Sequence, residues 1–323
     1  MRRRQACALV AALPLLPRGA FAAEPPRDFE WTDAARNRTL PLRVRWPAGE
    51  GACALVLFSH GLGGNLEAGS VWAEAWQAAG FAVLNLQHPG SDTSIWQDGM
   101  RGARSGAQLK QYLARAEDAR FVLDEIGRRR DEPGWRRIRP DAIGFSGHSF
   151  GARLTQAIAG ENLPGRRGPG PLADPRPRAF IAFSPGFNAR SGDVVEVAKQ
   201  HFAAITRPFL CITGTRDEAM IVGDATNAAR RAVYDGLPAG AKAELVLDGA
   251  DHMTFGGQSL PDRARRRALN RAESAVEREP AHREIVARIS ADWWRWRLLG
   301  DEAARTRLSA PSGLAPEDGW RLG

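Results

Sequence analysis

The sequence predicts an α/β fold: a mostly parallel central sheet with helices on both faces. Three observations carry this. Apolar strand-like runs alternate with helical periodicity from residue 52 to the end of the 323-residue chain, the pattern of parallel strands joined by crossover helices. Several runs are apolar throughout, as strands covered on both faces must be. One of them, IRPDAIGFSGHS, passes through a G-x-S-x-G turn straight into a helical run. With no internal repeat and no insertion of domain size, residues 24–323 are expected to form one domain.

Taken in order, a polar lead precedes LPLRVRW, which alternates as an exposed strand should. CALVLFSHG reads as a buried strand, and EAGSVWAEAWQAAG as a helix closed by Gly80. FAVLNLQHPG is the next buried strand. SGAQLKQYLARAEDARFVLDEIGRR is a long amphipathic helix, with Leu109, Tyr112, Leu113, Ala116, Ala119, Val122, Leu123 and Ile126 at spacings of three and four. FGARLTQAIAG is the helix leaving the G-x-S-x-G turn. RAFIAFSPG, RPFLCITGTRD and AELVLDGADHMTF complete the strands, the last of them ending the sheet. In the terminal helix PAHREIVARISADWWRWRLLG, a stripe of Ile285, Ile289, Trp293, Trp296 and Leu299 is expected to pack on the sheet. Two stretches interrupt the alternation. GENLPGRRGPGPLADPRPR has the composition of a mobile surface loop, and GGQSLPDRARRRALNRAESAVEREP is a charged, partly helical insertion after His252.

The first 23 residues read as an export signal. Arg2, Arg3 and Arg4 precede an apolar stretch from Ala6 to Leu16, and Ala20-Phe21-Ala22 supplies an A-x-A cleavage pattern. The paired arginines also suit a twin-arginine route. The protein is therefore expected to be periplasmic or secreted. The formal charge of +8 falls to +4 once this segment leaves, since it carries four arginines and no acid. The remaining arginines are scattered among acids, which argues against nucleic acid as a partner. No apolar run approaches the ~20 residues that span a bilayer. Of three cysteines, Cys7 departs with the signal. Cys53 and Cys211 lie on strands expected about 14 Å apart, beyond the ~7 Å a disulfide tolerates, so both read as buried packing thiols. No cluster of cysteine and histidine has metal-ligand spacing, and no cofactor is called for.

The chemistry concentrates in GFSGHSFGA. A serine in a tight strand-to-helix turn needs neighbours without bulk two positions away on each side. Ser149 has Gly147 and Gly151; Ser146 has Gly144 and His148. Ser149 is thus the candidate nucleophile, and Ser146 is expected to be a buried hydroxyl bonded to backbone. The base should follow the last strand, and of six histidines only His252 stands there. The acid should follow the preceding strand, which selects Asp217 over Asp224, Asp248 and Asp251. The oxyanion site needs two backbone N–H groups: that of Phe150, after the nucleophile, and that of Leu62, in the glycine loop HGLGG after an early strand. The order Ser149, Asp217, His252 is that of the α/β-hydrolases.

FSHGLGG, QHPGSDTS, GFSGHSFGA, TGTRD and GADHMTF resemble the bacterial dienelactone-hydrolase-like group, related to platelet-activating factor acetylhydrolases and more distantly to cutinase-like polyester hydrolases. WTDAARNRTLPLRVRWP is similar to that group's lead-in strand. The resemblance spans about residues 28 to 300. It implies an α/β-hydrolase fold, Ser149, Asp217 and His252 as triad, and Leu62 and Phe150 as oxyanion donors. True dienelactone hydrolases carry a cysteine nucleophile, which this sequence lacks. The expected activity is hydrolysis of a small-molecule carboxylic ester, of short-acyl or lipid type, through an acyl-enzyme. An amidase or peptidase would use the same residues, and a catalytically silent scaffold is the non-enzymatic alternative.

Overall fold

The computed structural model describes residues 23–162, 168, 170–188, 192–218, 226–258 and 271–323. The signal segment to residue 22, Asp224, residues 163–167 and 169 of the Gly/Pro stretch, and residues 259–270 of the insertion after His252 lie outside them.

Nine strands form one sheet. They are β1 (Arg27–Asp33), β2 (Arg38–Arg45), β3 (Cys53–Ser59), β4 (Ala82–Leu86), β5 (Ile138–His148), β6 (Ala179–Phe183), β7 (Phe209–Arg216), β8 (Lys242–Asp251) and β9 (Gly319–Leu322). Their spatial order is β1-β2-β4-β3-β5-β6-β7-β8-β9. The six central strands, β4 to β8, run parallel, while β1, β2 and β9 pair antiparallel at the two edges. The polar lead is therefore a strand: Phe29 and Trp31 alternate with charged residues, a period-two signal that the surrounding charges obscure. A further strand, β9, follows the run expected to be last; at four residues it is too short to register as a pattern.

Helices cover both faces. On one lie α3 (Leu109–Arg128), α4 (Phe150–Ala159), α5 (Val194–Phe202) and α6 (Asn227–Gly236), packed with Leu55, Leu57, Phe145 and Cys211. On the other lie α1 (Ser70–Ala78) and α7 (Glu273–Leu299), packed with Val56, Phe58, Ile181 and Leu245. Two shorter helices are α2 (Gly99–Gly106) and α8 (Glu302–Ser309), the latter packing Leu308 into the second face. Cys53 and Cys211 are free and buried, on strands three places apart.

Two helices differ from expectation. In α3, Leu109 and Leu113 are exposed, and the buried face holds Arg115 and Asp118 beside Ala116, Ala119, Val122, Leu123 and Ile126. A hydropathy reading cannot select a face that buries two charges. The terminal helix α7 starts at Glu273 and runs through Pro280, so part of the presumed insertion belongs to it. Within α7 the expected stripe holds at Ile285, Ile289 and Trp293 and widens to take in Trp294 and Leu298. Trp293 and Trp294 are fully buried, Trp296 is half-buried under Arg297, and Leu299 is exposed. The cause is that α7 is covered from two directions. Trp293 faces the sheet, its Nε1 donating to the Phe180 carbonyl at 3.1 Å. Trp294 sits edge-on to Trp76 of α1 at 5.8 Å, over Gly144, where a Cβ would come within 2.7 Å of its ring.

Trp294→Ala should therefore cost about 3–5 kcal/mol, as expected for emptying a fully buried aromatic site, and Trp296→Ala about 1 kcal/mol or less. Urea denaturation of the two variants checks this; equal losses would contradict the packing described.

Candidate active site

The chemistry-bearing residues meet at the carboxyl ends of β3, β5, β7 and β8, the edge where parallel α/β sheets place their ligands. Ser149 falls between β5 and α4 with φ 56° and ψ −110°, a left-handed conformation that a side chain rarely adopts. The close crossing of β5, α4 and β3 imposes it. A Cβ on Gly147 would come within 2.5 Å of the Gly151 backbone, and one on Gly151 would overlap the Ser59 carbonyl. Only glycine fits either place. The Ser149 N–H donates to the Phe183 carbonyl at 2.9 Å, which ties the turn to β6. Ser149 keeps partial exposure. Ser146 is fully buried, its hydroxyl donating to the Leu57 carbonyl at 2.9 Å.

The candidate acid and base come from adjacent strand ends. Arg216 pairs with Asp251 across β7 and β8, so the next residues, Asp217 and His252, emerge side by side. His252 Nδ1 donates to Asp217 Oδ1 at 2.7 Å, and His252 Nε2 lies 2.9 Å from Ser149 Oγ. A carboxylate on Nδ1 requires the proton there, which leaves Nε2 free to accept from the serine hydroxyl. Thr213 Oγ1 donates to the other Asp217 oxygen at 2.8 Å.

The rival carboxylates are committed elsewhere. Asp251 caps the 3₁₀ turn His252–Gly256 through the Thr254 N–H and pairs with Arg271 at 2.8 Å. Asp248 accepts from Thr215 and pairs with Arg278.

The loop after β3 lies against Ser149, the candidate nucleophile, because Ser59 pairs with Gly147. A Cβ on Gly61 would stand 3.5 Å from the Ser149 Cβ. Leu62 follows in this loop, and Phe150 is the first residue of α4, where an N–H has no partner within its helix. Among the described residues neither N–H has a backbone acceptor. The positive end of α4 faces the same space.

Sequence reasoning passed over two residues here. Arg230 of α6 is buried behind Asp217, with Nε 3.0 Å from Asp217 Oδ1 and bonds to the Asp217, Ser184 and Pro185 carbonyls. Burial pushes the Asp217 carboxyl up, but the Arg230 charge and the His252 hydrogen bond outweigh it and bring it down to about 2. An arginine 13 positions past the acid, in a helix rich in them, carries no motif that would have marked it. His148, the variable residue of G-x-S-x-G, packs its ring 4.6 Å from that of His252 and holds the His252 carbonyl with Nε2 at 3.0 Å. Burial and the neighbouring imidazole pull its own titration well down, so it is neutral.

Among the described residues no group of histidine, cysteine and acidic side chains is arranged to hold a metal ion, and no helix is long and apolar enough to cross a membrane. No family model matches the chain, and no curated protein matches it. Solved structures do. One is 2,6-dihydroxy-pseudo-oxynicotine hydrolase, with a TM-score of 0.52 at 16% identity, over 85% of this chain and 69% of that one. Together with the sheet order, this likeness makes the fold that of the α/β-hydrolases.

Asp217 titrates at about 2 in the folded chain, against 3.8 for the free side chain, so its ionised form contributes about 2 kcal/mol at neutral pH. The shift is downward, so this stability is complete above about pH 4 and fades as pH falls through 2. Urea midpoints of Asp217→Asn should therefore fall less steeply between about pH 5 and pH 2.5 than those of wild type. Parallel slopes would show that the carboxylate is not held down.

Proposed function

We propose that this protein is a serine carboxylic ester hydrolase working through an acyl-enzyme. The observation that carries the reading is the line from Asp217 through His252 to the Oγ of a strained, partly exposed Ser149. In this reading His252 Nε2 takes the hydroxyl proton as Ser149 Oγ attacks the ester carbonyl. The carbonyl oxygen becomes an oxyanion facing the Leu62 and Phe150 N–H groups. Collapse expels the alcohol, which leaves with the proton from His252. A water deprotonated by the same nitrogen then frees the acid and restores the serine. Asp217 stays ionised throughout and stabilises the imidazolium.

A short-acyl or lipid-type ester suits the surroundings. Trp96 is an exposed large apolar residue beside the HGLGG loop, and Met100, Leu109 and Leu113 are exposed further along the same stretch of chain. Trp96 is joined to that loop through a 2.9 Å bond from Nε1 to the Gly63 carbonyl. An apolar acyl or alcohol group would find contact there, and the ester would carry no charge to desolvate. The resemblance to the dienelactone-hydrolase-like and acetylhydrolase group favours the same class. The export signal is part of the proposal, and N-terminal sequencing of the mature protein should begin at Ala23 or Glu24.

Ser149→Ala should lower turnover of p-nitrophenyl acetate by about 10⁴-fold or more and abolish labelling by a fluorophosphonate, while Ser146→Ala retains both. Labelling that survives in Ser149→Ala, or a folded wild type inert to ester and probe alike, would sink the proposal. A matched anilide turned over faster than the ester would move the activity to the amidases.

A further inference from the structure

Behind the HGLGG loop lies a buried polar cluster that the proposed chemistry does not use. Its centre is Arg115 of α3, which is fully buried. Arg115 Nη1 donates to the His60 carbonyl at 2.6 Å, and Nη2 to the Gly61 and Ser91 carbonyls at 3.2 and 3.1 Å. Its Nε donates to Ser91 Oγ at 2.8 Å. The guanidinium carbon stands 4.5 Å over the ring of Phe150. One side chain thus touches both residues that flank the candidate oxyanion space, Gly61 on one side and Phe150 on the other.

A second line supports the loop from below. His60 Nδ1 donates to the Gly61 carbonyl at 2.6 Å, and His60 Nε2 accepts the His88 N–H at 3.0 Å. His88 spans from Asp118 Oδ2 to Ser59 Oγ, 3.0 Å at each end. Asp118 is in turn held by Arg38 at 2.7 and 2.8 Å and by Arg36 at 2.9 Å. Ser59, His88 and Asp118 have the composition of another serine–histidine–aspartate line, yet all three are fully buried. No substrate reaches that hydroxyl, so the line can only hold position.

What it holds is a peptide plane. The unit joining Gly61 to Leu62 is planar and trans, so its C=O and N–H point in opposite directions. Fixing the Gly61 oxygen on Arg115 and His60 fixes the direction of the Leu62 N–H. A carbonyl bonded to a cation also makes its own N–H a better donor. Donors aimed before the charge develops need no reorganisation when it forms.

We propose that Arg115 is the positioning residue of the oxyanion site. It locks the Gly61–Leu62 peptide with its N–H toward Ser149 and seats Phe150 against the same loop, with the Asp118–His88–Ser59 line fixing His60 behind it. This inference rests on the triad reading above.

Arg115→Lys keeps the charge but cannot fork to three carbonyls. Turnover of p-nitrophenyl acetate should fall by about 100-fold, the scale of one lost oxyanion donor, with KM changed by less than about threefold. Affinity for an arylboronic acid, whose tetrahedral adduct on Ser149 fills the oxyanion site, should fall in proportion to kcat, a correlation that loosened packing alone would not produce. Ser91→Ala removes the Nε acceptor together with the hydroxyl's own bond to the His88 carbonyl, leaves the three carbonyl contacts of Arg115 in place, and should lower kcat and boronate affinity by about five- to tenfold; it decides the matter if the lysine variant does not fold. A folded variant of either kind with kcat and boronate affinity within about twofold of wild type overturns the positioning role while leaving the triad intact. A wild type inert to ester and fluorophosphonate overturns the triad reading and this inference with it.

Discussion

The site depends on one close crossing. Where β5 turns into α4 over the end of β3, the backbones of Gly147 and Gly151 and the Ser59 carbonyl meet with no room for a Cβ. That approach forces Ser149 into a left-handed conformation, which a residue in a relaxed loop would leave. It costs about one to three kcal/mol locally, offset by buried strands on either side. It also decides three things together. The hydroxyl stands clear of the backbone, the first N–H groups of α4 face the space beside it, and the loop after β3 is brought alongside. A larger residue at either glycine would undo all three.

Each half of the site is backed by a buried arginine. Arg230 sits behind Asp217, and Arg115 sits behind the HGLGG loop. Buried charges are expensive unless they are hydrogen-bonded, and these are: between them they take up a carboxylate, a serine hydroxyl and six main-chain carbonyls. Their electrostatic effects differ. The Arg230 charge helps keep Asp217 ionised, and its Nη2 also stands 3.2 Å from His252 Nδ1. Arg115 contacts the HGLGG loop from the carbonyl side, where a cation is favourable.

The sequence made the frame and the principal residues legible because their signals are local. A glycine two positions either side of Ser149, a histidine just past the last parallel strand and an aspartate just past the one before are each readable within ten residues. The supporting groups were not. The apolar spacing of α3 pointed to Leu109 and Leu113, and the structure buries Arg115 and Asp118, because the face is chosen by loops 24 to 55 residues away that need donors and acceptors. The widened buried face of α7 has the same origin: Trp294 is buried because α1 lies beside it, a tertiary fact that no helical period contains. His148 was visible and served to reject Ser146, but its packing on His252 joins residues 104 apart.

Two serine–histidine–aspartate lines in one molecule show how little the composition of such a line says by itself. Ser59, His88 and Asp118 match the spacing of Ser149, His252 and Asp217 to within a few tenths of an ångström. The first serine ends a regular strand and is sealed from solvent; the second sits on a strained turn at a helix N-terminus and is open. His88 is drawn down to about 4 by burial, against the opposing pull of Asp118, and is neutral at pH 7. A hydroxyl gains reactivity only where an incoming carbonyl can reach it and where donors wait for the oxygen that becomes charged. The buried line lacks the first condition, and by bracing the HGLGG loop it serves the second at the other serine.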